Sequence, residues 1–261
     1  MIKEYYKGIW KNRHILFSLV NIDLMMKYRR SALGIAWAVL TPLGLAVIIG
    51  SIYSILFNTS PLTLIPLLFA SINPWTFMSG TADGGTMVYI AAEGYIKQST
   101  VSPQIFPLRS TITNFINLLY SIVTFFAIYL FISPQSFGAA MLLVIPGLII
   151  MFVFSLGLAN ITSIINLSVR DFQPFQSLIL QGLFYITPII YTPEMLAERG
   201  GELIYKLNPF FYMLEIVRLP MLGNPLPSIS TYFIAICVAF ITFIFSVIFL
   251  MKNRSAIAYK L

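Results

Sequence analysis

Lys27-Tyr28-Arg29-Arg30-Ser31-Ala32-Leu33-Gly34-Ile35-Ala36-Trp37-Ala38-Val39-Leu40-Thr41-Pro42-Leu43 is the stretch that decides the fold. It begins as a basic collar and passes without a break into an apolar run that reaches Phe57. Cations at the start of such a run are retained on the cytoplasmic side, beside anionic head groups. The collar therefore orients a first membrane crossing, and the rest of the chain follows from it.

Composition agrees. Of 261 residues, 58% are hydrophobic and 10% charged, whereas soluble domains carry roughly 25% charged residues. The reading is an all-α integral membrane protein. The net charge of +7 lies between the apolar spans, so it reports topology rather than nucleic-acid binding. No Gly-x-x-x-x-Gly-Lys-Ser/Thr loop is present, so ATP, if it drives this protein, is expected on another chain. Cys237 stands alone inside an apolar run and His14 is the single histidine. No cysteine cluster, His-Glu-x-x-His or paired-carboxylate site is apparent, which argues against hydrolytic or metal catalysis. No apolar run with a small-residue cleavage site follows Met1, so no signal peptide is expected.

Residues 1–13 are polar and basic. From His14 to Arg30, Ile15, Leu16, Leu19, Ile22 and Met26 recur at helical spacing, and Asp23 precedes Lys27 by four residues. The pattern predicts an amphipathic helix in the interface plane, or a soluble cap on the membrane domain. Spans are expected at about 35–57, 64–91, 112–132, 139–167, 175–191 and 232–251, since a bilayer core of about 30 Å needs roughly 20 apolar residues. The second holds Asn73-Pro74-Trp75 and Asp83 beside Gly84 and Gly85, which predicts close packing or a water-facing surface. The segment 192–229 is neither fully polar nor fully apolar. With the N-terminus inside, seven Lys/Arg precede the first span, two lie in the second connection, one in the fourth and three in the tail. Arg199, Lys206 and Arg218 complete the 16 and fall outside. This asymmetry supports six crossings with both termini cytoplasmic.

Tyr28, Arg29, Arg30, Ser31, Leu33, Gly34, Trp37 and Pro42 together resemble the start of the first helix of ABC-2-type permeases, in the branch that exports O-antigen, capsule and teichoic acid precursors. Pro74, Trp75 and Phe77, the paired prolines Pro103 and Pro107, Arg170-Asp171, and Asn208-Pro209-Phe210 continue the resemblance in order. Gln98 and Ser102 depart from the family's usual Lys and Phe. The resemblance implies one ABC-2-type transmembrane domain over 1–261, with 1–30 interfacial, 35–251 in the membrane and 252–261 a cytoplasmic tail. Re-entrant helices are expected between the fifth and sixth spans.

It further implies a homodimer in the bacterial inner membrane, working with two ATP-binding cassette subunits that bind ATP and Mg. This chain would hold no cofactor and do no hydrolysis itself. The cargo would be a lipid-linked glycan, most simply O-antigen. Tyr95, Ile96, Lys97, Gln98, Ser99, Pro103 and Phe106 would form the coupling element that meets the ATPase; a plain solvated loop is the other reading. Asp23, Lys27, Arg29 and Arg30 form the interface helix and collar. Trp37, Tyr53, Trp75, Phe77, Tyr185 and Tyr191 are candidates to line the sugar path, because sugar C–H faces pack on rings; belt or packing roles are the other reading. Two rival functions stay open: an ion- or proton-coupled secondary transporter built around Asp83, and a membrane enzyme acting on lipid-linked sugars.

Overall fold

The computed structural model describes residues 1–29, 31–223 and 225–261. Arg30 of the collar lies outside the described residues, and Tyr28 and Ala258 are described by their backbone alone. Among the described residues there are helices and connections, with no strand. The chain begins with α1 (Ile2–Lys11) and α2 (Arg13–Tyr28), then α3 (Trp37–Leu56), entered through a 3-10 turn, and α4 (Pro61–Ala91). A short α5 (Glu93–Gln98) leads to α6 (Ile105–Ile132), and two further 3-10 turns to α7 (Val144–Ser168). Then follow α8 (Phe172–Ile186), α9 (Pro193–Ala197), α10 (Glu202–Lys206), α11 (Pro209–Leu222) and α12 (Ile229–Lys260).

Among the described residues, five helical stretches are long and apolar enough to cross a bilayer: Gly34–Leu56, Pro61–Ala91, Ile105–Ile132, Ala139–Ser168 and Ile229–Ile257. They match five of the six expected spans. The remaining one corresponds to α8, whose 15 residues reach only about 22 Å at 1.5 Å per residue. Thr187 and Pro188 stop it, since the residue before proline is pushed out of the helical region; Thr187 is extended, with ψ 131°.

The organising element is α4. It runs antiparallel to α6, as the ring contacts Phe69–Phe125, Phe77–Phe115 and Tyr89–Phe106 require. It runs parallel to α7, which donates from Thr162 to the Ala82 carbonyl at 3.0 Å and from Asn166 to the Thr86 carbonyl at 2.9 Å. Gly85 makes this approach possible, because a Cβ there would stand 2.8 Å from the Ala159 Cα. Small residues at helix crossings serve this purpose in membranes, where lipid offers no hydrophobic drive to association. Parallel to α7 runs α12, joined by Asn160 Nδ2 to Ser246 Oγ at 3.2 Å and Lys260 Nζ to Ser168 Oγ at 2.7 Å.

Proline inside a helix frees the carbonyl four residues before it, and the fold re-satisfies one such group across a helix boundary. Pro42 removes the donor that the Ala38 carbonyl would use, and Ser121 Oγ of α6 bonds that carbonyl at 3.0 Å. This ties α3 to α6 at the level of the collar's first turns. Elsewhere α3 is mostly uncovered: Leu40, Leu45, Val47, Ile48, Ile52 and Ile55 are exposed.

Three features lay outside the reading of the sequence. Residues 2–11 form a helix of their own, whose Tyr5 is fully buried. Helix α12 continues from the last span through residues 252–260. Arg218, counted among charges in an outer loop, is 2% exposed and pairs with Glu215 inside the protein. A charge three residues away on the same helix face neutralises it, and that makes burial tolerable.

Candidate functional site

At one end of the molecule, α1, α2 and the 93–109 connection form a single platform. Asn12, between the two helices, donates to the Gly8 carbonyl at 2.8 Å and to Ser102 Oγ at 3.1 Å. Gln104 Nε2 donates to the Tyr5 carbonyl at 3.2 Å. Tyr5 also receives a bond from Asn160 of α7 and packs edge-on against Phe243 of α12. Burial pushes its phenol up to about 12, against the opposing effect of the Asn160 bond. Arg109 grips Asp23 with both Nε, at 2.6 Å to Oδ2, and Nη2, to Oδ1. Expected as the i, i+4 partner of Lys27, Asp23 thus makes its ion pair 86 residues away.

The coupling candidates divide by exposure. Tyr95, Lys97, Gln98 and Ser99 are exposed, and Pro103 is half-buried. Ile96 is buried under α5, and Phe106 is buried against Tyr89. A hydrogen bond from Lys97 at 2.7 Å holds the Glu93 carboxyl below the usual carboxylate range and staples the outer face of α5. The element therefore offers one surface, Tyr95 to Ser99, while Ile96 and Phe106 anchor it from beneath.

Towards the membrane, a cavity of about 320 Å³ opens between α3, α4 and α6. Trp37 and Phe77 line it with Asn73, Asn114, Asn117, Thr41, Thr76 and Lys27. A second cavity, of about 230 Å³, shares Asn114 and is bounded by Asp23, Arg109, Gly84 and Thr113. Two of the aromatic path candidates, Trp37 and Phe77, thus meet on one groove. The other four do not. Trp75 is buried against Phe184 and Phe210. Tyr53 packs at a tilt against Phe57. Tyr185 stands exposed on α8, and Tyr191 donates back to the Tyr185 carbonyl at 2.8 Å. Of the collar, Lys27 lines the groove and Arg29 is exposed. Asp83 accepts a bond from Ser177 of α8 at 2.6 Å.

Asn73 is the amide that the sequence marked for close packing or a water-facing surface, whereas Asn114 and Asn117 drew no reading there. Their signal was amides recurring within apolar runs, two of them at i, i+3 on one face of α6. Asn12, Gln104 and Asn160 gave no comparable signal, because each acts through a partner remote in sequence. Among the described residues, no group of three or more His, Cys, Asp or Glu could hold a metal ion.

Known proteins resemble the chain over most of its length. An O-antigen export system permease protein RfbA of Klebsiella pneumoniae is 27% identical over 201 residues, 77% of each chain. A protein of the same name from Myxococcus xanthus is 24% identical over 227 residues, 85% of each chain. The profile of the ABC-2 type transporter family matches residues 15–222, from the start of α2 to the end of α11. With five apolar helices long enough to cross a bilayer under or beside that match, the chain is a multi-pass membrane protein and belongs to the ABC-2 type transporter family.

Proposed function

We propose that this chain is the permease subunit of an ABC transporter that exports a lipid-linked polysaccharide, O-antigen or a close relative, across the bacterial inner membrane. The observation that carries the reading is likeness to O-antigen export permeases over 77–85% of the chain. In this reading two copies assemble with two ATP-binding subunits, which bind ATP and Mg, and this chain supplies the path and the docking surface.

Six crossings are favoured by the placement of the termini. Tyr5 of α1 shares a cluster with Val247, Leu250 and Ile257 of α12, so both termini lie at one end. An even number of crossings is then needed, and α8 with the Thr187–Pro188 break and α9–α11 would supply the sixth as a bent, partly re-entrant passage. The basic collar and tail support a cytoplasmic location for that end. The exposed Tyr95–Ser99 face of α5 lies there too and suits docking of an ATPase. The uncovered faces of α3 and α8, with Phe175, Leu178 and Ile179 exposed on the latter, suit a second copy or lipid.

Deleting the chain from a glycan-exporting cell should trap lipid-linked glycan inside. Export should return only when the chain and its ATP-binding subunit are expressed together. Transport by the chain alone in vesicles under an imposed pH gradient would overturn the proposal in favour of a secondary transporter.

A further inference from the structure

The groove between α3, α4 and α6 has a chemistry that its place in the bilayer does not require. Asn73 lies twelve residues into α4 and Asn117 twelve residues into α6, about 18 Å along each axis. Amides at such depth are expensive against lipid and mark paths or binding sites. Asn73 turns its Nδ2 to the Phe69 carbonyl at 2.7 Å, and Asn114 turns its Nδ2 to Thr81 Oγ1 at 3.4 Å. Both bonds come from the Nδ2 side, none of the described residues donates to either Oδ1, and both residues line the cavity. Trp37, about half exposed, presents a ring to the same space. The ammonium of Lys27 belongs to its lining, at the collar.

Lipid tails would leave the amide oxygens desolvated without a donor, which is costly. Hydroxyl groups would satisfy them, and a ring would cover the C–H face of a sugar. The volume of about 320 Å³ falls at the low end of small-molecule sites, about 300–1,000 Å³. It accommodates a short sugar unit, not a polymer. Lys27 adds one anion contact where lipid phosphates lie.

We infer that this groove is a subsite for a sugar joined to a phosphate, with Asn73 and Asn114 accepting its hydroxyls, Trp37 covering its face and Lys27 meeting its phosphate. The inference rests on the export reading and deepens it: the groove would select the phosphate-linked first sugar of the cargo before the polymer enters. The same chemistry could come from a lipid-linked glycan or from a soluble sugar phosphate.

The test uses the full chain in nanodiscs and three probes: a polyprenyl diphosphate carrying one N-acetylhexosamine, the same lipid diphosphate without sugar, and the soluble sugar phosphate. Binding is measured by native mass spectrometry. The Asn73→Ala/Asn114→Ala variant should lose about tenfold in affinity for the sugar-bearing lipid, the worth of one or two hydrogen bonds, and bind the bare lipid as wild type does. Lys27→Gln should weaken both lipids alike. Thr76→Phe fills the groove while leaving both asparagines in place, so it should abolish sugar-dependent binding even where the double alanine variant proves poorly folded. Preference for the soluble sugar phosphate over both lipids would assign the groove to a soluble ligand and overturn the cargo role. Equal binding of both lipids by wild type, or an unaffected Thr76→Phe variant, would overturn the subsite, and cellular export by that same wild type would leave the transport reading standing.

Discussion

The Arg218–Glu215 pair and the Arg109–Asp23 pair sit at opposite ends of the molecule and solve opposite problems. Helix α6 carries Arg109 near its start, and near its far end Tyr129 donates to the Leu222 carbonyl of α11 at 3.2 Å. Arg218 and Glu215 are 2% and 6% exposed and lie three residues apart on one helix. Arg109 and Asp23 are 24% and 28% exposed and join elements 86 residues apart. The inner pair removes two charges from water within one element and adds a third contact, Arg218 Nη1 to the Pro188 carbonyl at 2.6 Å. The outer pair keeps partial hydration and links the α1–α2 platform to a membrane helix. The first holds α11 in the fold; the second ties the platform to α6.

The largest effect is expected from Arg218→Met. It leaves Glu215 buried without its partner, and breaking a buried pair this way costs about 3–5 kcal/mol. The thermal midpoint in detergent and the amount in the membrane should both fall sharply. The double variant Glu215→Leu/Arg218→Met should recover most of that stability, since apolar replacement of a whole buried pair is often neutral. A double variant as unstable as the single one would mean that the bond to Pro188, not the pair, holds α11.

Next comes Arg109→Ala. Its partner keeps water, so the stability loss should be about 1 kcal/mol or less. Export should nevertheless drop several-fold, with ATP turnover by the partner persisting. The swap Asp23→Arg/Arg109→Asp should restore part of the export, measured as a double-mutant cycle. Unchanged export in the single variant at normal protein level would reduce this pair to a surface contact. The smallest effect belongs to Lys97→Gln, which removes the exposed bridge to Glu93. The thermal midpoint should not move, whereas crosslinking of Tyr95→Cys to the ATP-binding subunit should weaken. A shifted midpoint would show that α5 relies on that bridge rather than on Ile96 beneath it.

The difference between the pairs also marks what was legible in the sequence. The collar, the apolar runs and the landmarks from Tyr28 to Asn208 set the helical membrane class and the family, because hydropathy and local motifs are short-range properties. Five helices came out close to their expected bounds. The polar and basic stretch 1–13 hid α1, since Tyr5 owes its burial to Asn160 and Phe243, more than 150 residues away. Charge counting assigned Arg218 a side of the membrane and no partner, because it has no way to see a neighbouring carboxylate as a burial partner. At the groove, Trp37, Phe77 and Asn73 were legible, while Asn114 and Asn117 needed three helices placed together.

The bonds between α4 and α7 set a timetable for synthesis. The Ala82 and Thr86 carbonyls take their donors from Thr162 and Asn166, each 80 residues later in the chain. At about 5–20 residues per second, α4 waits roughly 4–16 s after leaving the ribosome before α7 exists to cover it. During that interval the helix carries Asp83 and the Ala82 and Thr86 carbonyls without their later partners, and its mean hydropathy is the lowest of the five spans. A chain cut short before residue 160 should therefore leave α4 without these donors, and its α4 should be less protected from protease in the membrane than in the full chain.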